Sequence, residues 1–415
     1  MTQGKKPALR FKGFDNDWEQ RKLGELATFN KGAGYSKSDL KASGTQIILY
    51  GRLYTKYETV IKQVDTFVDS RPGSIYSEGG EVIVPASGET AEDIAIASVV
   101  EKPGILLGGD LNIIHPIRNL DSTFLAISIS NGEPHKEMAK RAQGKSVVHL
   151  HNDDLSQIKF RYPSIEEQSK ISKFFSNLDN LITLHQRKLE KLQNLKKAML
   201  EKMFPQNGAK VPEIRFKGFT NDWEQRKLVD IATMHARIGW QNLRTSEFLD
   251  DGDYYLITGT DFKDGRIDFS SCHYVAKERY DQDKNIQIHN GSILITKDGT
   301  LGKVAYISGL NKPATLNAGV FNVVIKANDV DEKYLYHYLA GPFLMDYVSK
   351  RATGGTIKHL NQNILFDFPV VLPSYDEQKK IGETLQDLDN LITLHQRKLE
   401  KLQNLKKAML EKMFI

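Results

Sequence analysis

Few residues in this chain are spaced for bond-making chemistry. A methylase acting on a base amino group carries Asn or Asp before Pro-Pro and an aromatic residue, and none of the 13 prolines here is followed by another. Cys272 stands beside His273, but it is the single cysteine, so the pair lacks the second Cys-containing element that a zinc site uses. Gly144-Lys145-Ser146 has the form of the end of a phosphate-binding loop, yet Ala139 occupies the place of that loop's first glycine. No glycine fingerprint opens a helix after a strand, and no motif points to a catalytic triad. His149 and His359 recur 210 residues apart, in RAQGKSVVHL and RATGGTIKHL. Such a histidine either holds a turn or contacts a phosphate. The chain therefore reads as a non-catalytic binder, with no metal site.

The elements that would position such residues are written twice. Leu178 to Phe204 reads LDNLITLHQRKLEKLQNLKKAMLEKMF, and Leu388 to Phe414 repeats it unchanged at an offset of 210. Arg10 to Leu23 (RFKGFDNDWEQRKL) returns as Arg215 to Leu228 at an offset of 205, with Asp15 replaced by Thr220. PSIEEQSKI from Pro163 is echoed by PSYDEQKKI from Pro373. Between these blocks the halves diverge. Drift after duplication would not leave the ends identical and the middles unlike. Each half is thus expected to be a constant front, a variable domain of shared fold, and a constant helical end.

The constant ends lack Pro and Gly from Ile165 to Met203 and place Leu178, Ile182, His185, Leu189, Leu192, Leu195, Met199 and Met203 three or four apart. Ser164 with Glu166 and Glu167 suits a helix start, and a lysine-rich tail suits its end. At about 1.5 Å per residue the helix would span about 58 Å. Trp18 and Trp223 are expected as core anchors. The variable segments, Leu23 to Tyr162 and Leu228 to Leu372, show short β-rich runs such as Gln46 to Leu53, Ile94 to Val100 and Val320 to Ile325. Helices are expected over Thr123 to Ile129 and Glu332 to Tyr347. The fold class is α+β: two domains in a pseudo-two-fold arrangement, joined by two long antiparallel helices packed as a coiled coil. The expected divisions are 1–163 (first domain), 164–204 (central helix), 205–212 (linker), 213–373 (second domain) and 374–415 (distal helix).

Composition is that of an ordinary globular chain: 415 residues, 40% hydrophobic, 26% charged, net charge +5. No run approaches a membrane helix, and Met1 to Pro7 has no apolar signal-peptide region, so a cytoplasmic protein is expected. Charge for a nucleic-acid ligand would have to be clustered. A two-fold pair of domains matches the local two-folds of DNA. A helix pair of this length would separate the domains by more than one DNA turn of about 34 Å. Unlike domains would then read unlike half-sites, provided the ligand is DNA.

The duplicated layout, the NDWEQRKL front, the PSxxEQxKI start of each helix and the long LDNLITLHQRKLEKLQNLKKAML helix resemble the specificity subunits of type I restriction-modification systems, most closely firmicute members. The likeness covers essentially the whole chain. The resemblance implies two target-recognition domains, each reading half of a bipartite site on double-stranded DNA. It implies helices that act as a ruler and dock two methyltransferase subunits for adenine N6 methylation. Two motor-nuclease subunits would join for restriction. S-adenosylmethionine would sit in the methyltransferase, and ATP with magnesium in the restriction partner, leaving this chain without a cofactor.

Given that reading, candidate DNA contacts lie on polar loops after strands. In the first domain they are Lys31, Tyr35, Arg52, Tyr54, Ser87, Glu89, Thr90, Lys145 and His149. In the second they are Arg237, Trp240, Gln241, Thr260, Asp261, Lys297, Asp298, Thr300, Lys303, Thr356, Lys358 and His359. Arg52 and Arg237 suit guanine edges, and Gln241 suits adenine. Ser87-Gly88 corresponds to Asp298-Gly299, unlike side chains at one loop. Leu189, Leu192, Met199, Leu399, Leu402 and Met409 are expected to face a partner protein. The rival reading is a coiled-coil scaffold carrying two protein-binding heads, which would lack salt-dependent DNA affinity.

Overall fold

The computed structural model describes residues 6–144, 147–206, 208–238, 242–298, 301–351 and 360–414. The chain divides into two compact units, Met1–Arg187 with Gln396–Ile415, and Lys188–His395. The long helices run Ile165–Lys202 and Tyr375–Met413 without a break. Each unit therefore holds one variable domain, the first part of its own long helix, and the last part of the other copy's helix.

In the first unit a five-stranded sheet has the order Ala27–Lys31, Leu111–Pro116, Val82–Pro85, Ser98–Val100, Val60–Ile61. A three-stranded sheet joins Phe67–Val68, Thr45–Ile48 and Leu106–Leu107, the last two parallel. The second unit repeats this plan in Ala232–His235, Val320–Ile325, Ile293–Thr296 and Val304–Tyr306. Its companion sheet is His273–Val275, Tyr254–Ile257, Ala314–Leu316 and Gln287–Ile288, the middle pair parallel. Two sequences that have lost most of their identity thus keep one topology, because alternation rather than residue identity fixes which face is buried. Val82, Val84 and Ile114 pack on one side of the first sheet with Phe124 and Leu125 of the helix Ser122–Asn131. Ile83 and Ile113 fill the other side.

The run Glu332 to Tyr347 differs from the single helix expected. It forms two, Glu332–Ala340 and Pro342–Arg351, broken at Gly341 and Pro342, where proline cannot continue the preceding hydrogen-bond ladder. The run from Gln46 is a strand only over Thr45–Ile48 and then turns into the short helix Arg52–Thr55.

The repeated motifs have a physical reason. Each front strand pairs with the strand before its long helix, Glu19–Lys22 with Lys159–Tyr162 and Glu224–Lys227 with Pro369–Leu372. Arg10 makes a two-pronged bond to buried Glu167, Nε at 2.8 Å and Nη2 at 2.6 Å. Arg215 does the same to buried Glu377, at 2.7 and 2.8 Å. The glutamine that follows each glutamate ties the helix start to its domain. Gln168 accepts from Asp121 N at 2.9 Å and donates to Pro163 O at 2.8 Å. Gln378 accepts from Asp331 N at 3.0 Å and donates to Pro373 O at 2.9 Å. Asp121 and Asp331 in turn cap the next helix through Phe124 N and Tyr334 N.

Trp18 and Trp223 are core anchors, each 6% exposed. Trp18 meets Phe124 at 5.6 Å between ring centroids, and Phe124 stacks on Phe414 at 5.7 Å, so the end of the distal helix plugs the first unit. In the second unit Trp223, Tyr334 and Phe204 form the matching cluster, 5.5 to 6.3 Å apart, plugged by the end of the central helix. The front segments cap these ends: Leu9 N donates to Lys412 O at 2.9 Å, and Ile214 N to Lys202 O at 2.8 Å.

Candidate nucleic-acid interface

In the first unit the strand Val82–Pro85 leaves the sheet through Ala86 into the pair Ser87–Gly88, which hydrogen-bonds with Val148–His149 in the register His149 to Ser87. Leu150 N donates to Ala86 O at 3.0 Å, and the buried Asn112 side chain donates to Leu150 O at 2.9 Å. The Tyr54 hydroxyl donates to Ser87 O at 2.8 Å. This brings five expected residues, Tyr54, Ser87, Glu89, Thr90 and His149, to one edge, but Ser87 is buried at 6% exposure and so shapes that edge instead of presenting a contact. A groove of about 880 Å³ opens beside them, lined by Tyr50, Tyr54, Ser87, Glu89, Asp93 and Lys406 among others. Glu89 and Thr90 are exposed, while Thr90 Oγ1 also donates to Asp93 at 2.7 Å. His149 is exposed and lies parallel to His151, centroids 6.4 Å apart.

Of three other expected residues, two serve different ends. Lys31 is exposed at the end of its strand. Tyr35 adopts φ +54°, shares a 2.6 Å hydrogen bond with Ser74 and lies under Arg71, so its ring braces its own loop. Arg52 does not present a free fork to guanine. It bonds Asp65 at 2.7 Å, Glu58 at 2.8 Å and Gln63 O at 3.0 Å, with a side chain 8% exposed. Lys56 and Arg52 together hold the Asp65 carboxyl down at about 2.

In the second unit the strand Ile293–Thr296 runs out into Lys297 and Asp298. Lys297 N donates to Gly319 O and Leu360 N to Lys297 O, both at 2.9 Å, and the Lys297 ammonium lies 5.3 Å from the Phe321 ring centroid. Thr260 is exposed on the turn that carries Gly259, where an added Cβ would sit 3.8 Å from Asp298 O. Lys303, also exposed, closes the hairpin with its N donating to Thr296 Oγ1 at 3.0 Å. Lys297, Asp298, Thr260 and Lys303 therefore gather at the place that Ser87 holds in the first unit.

Two residues expected to face DNA in the second unit turn inward, as Arg52 does in the first. Asp261 is 4% exposed and accepts from Thr258 N at 2.7 Å and Thr258 Oγ1 at 2.9 Å; it shapes the turn, and burial raises its pKa above the usual carboxylate range. Arg237 is 2% exposed and donates to Leu316 O at 2.8 Å and Thr315 Oγ1 at 3.2 Å, so its guanidinium reads protein. Lys145, Trp240, Gln241, Thr300, Thr356, Lys358 and His359 lie outside the described residues.

The helix surface also differs from expectation. Leu192 and Met199 pack against the core of the second unit, and Leu402 and Met409 against that of the first; Leu189 and Leu399 are half-buried. The exposed leucines are Leu181, Leu184 and Leu405 in the first unit and Leu391, Leu394 and Leu195 in the second. They are the same three repeat positions in both copies. Periodicity alone does not separate a packed stripe from an exposed one on a helix apolar over much of its girth.

Among the described residues no group of three or more His, Cys, Asp or Glu is set to hold a metal ion, and no helix is long and apolar enough to cross a membrane. Burial, with Asp261 nearby, drives the Cys272 thiol pKa up, so this sulfur is held as an inert thiol.

A duplicated α+β scaffold that offers unlike polar loops at equivalent edges, fixed to identical helices, defines a two-headed recognition subunit. The family model of the type I restriction modification DNA specificity domain matches residues 15–194 and again 220–404, and the chain belongs to this family. It is similar to the type I restriction enzyme MjaVIII specificity subunit of Methanocaldococcus jannaschii, 23% identical over 406 residues, 95% of this chain and 91% of that one. The EcoBI specificity subunit of Escherichia coli is 22% identical over 201 residues, 46% of this chain and 41% of that one. The crystal structure of the S subunit of a type I restriction-modification system from M. genitalium shares the fold, with a TM-score of 0.69, 16% identity and 99% of each chain covered. The chain is thus a type I restriction-modification specificity subunit with two repeated DNA-recognition domains.

Proposed function

We propose that each unit reads one half of a bipartite, asymmetric site on double-stranded DNA, and that the chain does no chemistry of its own. The observation that carries this reading is a common edge with different accessible side chains: Glu89 and Thr90 in one unit, Lys297, Asp298 and Lys303 in the other. Different donors and acceptors on one scaffold are what two unlike half-sites require. In this reading the long helices set the spacer, and their exposed leucines receive two methyltransferase subunits, with two motor-nuclease subunits joining for restriction. S-adenosylmethionine then belongs to the methyltransferase and ATP with magnesium to the motor.

The test is methylation-aware single-molecule sequencing of a methylase-free host carrying this chain and its cognate methyltransferase, against a control without this chain. A gapped adenine-methylated motif that depends on this chain is expected. Replacing residues 228–372 with another variable domain should then change one half of the motif only. No new modification despite a stable complex, or a change in both halves, would refute the reading.

A further inference from the structure

Arg237 occupies the place that Gly32 holds in the first unit, 205 residues earlier, at the end of the first strand of each main sheet. The two residues solve one problem differently. In the first unit the chain itself comes against the neighbouring strand: a Cβ on Gly32 would sit 2.0 Å from Gly108 O, and Ala33 N donates to Leu107 O at 3.2 Å. In the second unit the guanidinium takes over. Its Nε donates to Leu316 O, the counterpart of Leu107 O, at 2.8 Å.

The remaining donors spread through the second unit's edge. Nη1 reaches Gln282 Oε1 at 3.2 Å, and Nη2 reaches Thr315 Oγ1 at 3.2 Å and Arg279 O at 3.5 Å. Arg279 in turn bonds Glu247 at 2.7 Å, tying in the turn Thr245–Glu247. Beyond Thr315 and Leu316 the chain continues to Gly319, whose carbonyl accepts from Lys297 N at 2.9 Å and where an added Cβ would lie 3.7 Å from Asp298 Cβ. One planar fork thus links the end of the first strand, the helix Lys277–Asp281 and the loop under Lys297 and Asp298. Burying a guanidinium among carbonyl, amide and hydroxyl acceptors is costly, and a core of apolar residues would serve stability better. Its return is geometric: five donors in a fixed plane determine where three segments stand.

We propose that Arg237 is a positioning residue for the second half-site: it touches no DNA, and it sets the geometry of the residues that do. This rests on the two-half-site reading above. Arg237→Lys and Arg237→Gln variants of the full chain, each assembled with the methyltransferase, are assayed on DNA libraries randomised in one half-site at a time. Discrimination in the second half should relax about ten-fold at one or more positions, while the first half is read as before. The intact first half shows that the chain is folded and assembled, and a thermal melt of each variant checks it independently. Should the Gln variant fail to accumulate, the Lys variant, which keeps the charge and loses the fork, decides. Lower total methylation with unchanged discrimination in both halves would mean a merely structural arginine and would overturn the proposal. Relaxation of both halves equally would overturn it too. Absence of any gapped motif with the unsubstituted chain would remove the two-half-site reading and the proposal together.

Discussion

Removing Arg215 should make the second unit's constant frame far easier to unfold. The Arg215 side chain is 15% exposed and its partner Glu377 is fully buried, with both carboxylate oxygens engaged at 2.7 and 2.8 Å. Arg215→Ala leaves that carboxylate in the interior without its counter-charge. Breaking a buried pair from one side costs about 3–5 kcal/mol, and the slight exposure of Arg215 places this case near about 3. For a unit of this size each kcal/mol lowers the melting temperature by about 2–4 °C, so a fall of about 6–12 °C is expected. The control is Arg226→Ala, whose partners Glu224 and Asp329 are 63% and 54% exposed and whose loss should cost under about 1 kcal/mol. Scanning calorimetry of the full chain gives the magnitude, and hydrogen exchange at the start of the distal helix locates it. Adding Glu377→Gln to Arg215→Ala should recover part of the loss, because the stranded charge is then gone. A cost for Arg215→Ala no larger than for Arg226→Ala, or no recovery in the double variant, would refute the argument.

Three further outcomes are expected. Burial, and then the Lys196 ammonium, hold the His337 imidazole well below its usual pKa; the unfolded chain therefore binds the extra proton, and stability should fall as pH drops below about 6.5. Denaturant titrations at neutral and mildly acid pH should show this slope shrink in His337→Ile, the residue that Ile127 supplies at the matching helix position. Leu184→Glu with Leu394→Glu, at sites 58% and 45% exposed, should weaken methyltransferase binding by at least about ten-fold with little change in melting, whereas Leu192→Ala should lower the melting temperature; binding titration and a melt separate the two. Gly32→Ala, which drives a Cβ against Gly108 O, should cost about 1–3 kcal/mol and disturb discrimination in the first half-site alone, as read by the same half-randomised libraries.

The duplication and the helices were legible because they are properties of order along the chain. Identical blocks at fixed offsets announce two units, and an uninterrupted three-four spacing announces a helix. What the side chains do at the edge was less legible. Arg52, Arg237 and Asp261 have the chemistry of base readers, but their donors and acceptors are spent on Asp65, Leu316 O and Thr258, partners that only folding brings near. The converse holds for Glu167 and Gln168. Their repetition at Glu377 and Gln378 marked them, yet nothing local says that Arg10 lies 157 residues away along the chain waiting for the glutamate. On the helices, the leucine stripe was visible as a stripe; that Leu195 and Leu405 are bare while Leu192 and Leu402 are covered depends on which domain the helix meets.

The plug residues couple each helix to the domain of the other half. Phe414 closes the core of the first unit and Phe204 that of the second, so each helix begins as a part of its own domain and ends as a part of the other. A change at the end of one helix is thus paid for by a domain encoded in the other half of the gene. Inheritance has to keep each end compatible with the one socket it fills. The same constraint makes the variable segments interchangeable cassettes: a foreign segment that keeps the tryptophan-aromatic socket and the arginine-glutamate clamp meets the plug it was built for. Crossing over within the identical helix tracts would then trade whole target specificities between genes, and new DNA targets would arise by recombination faster than by point mutation in the loops.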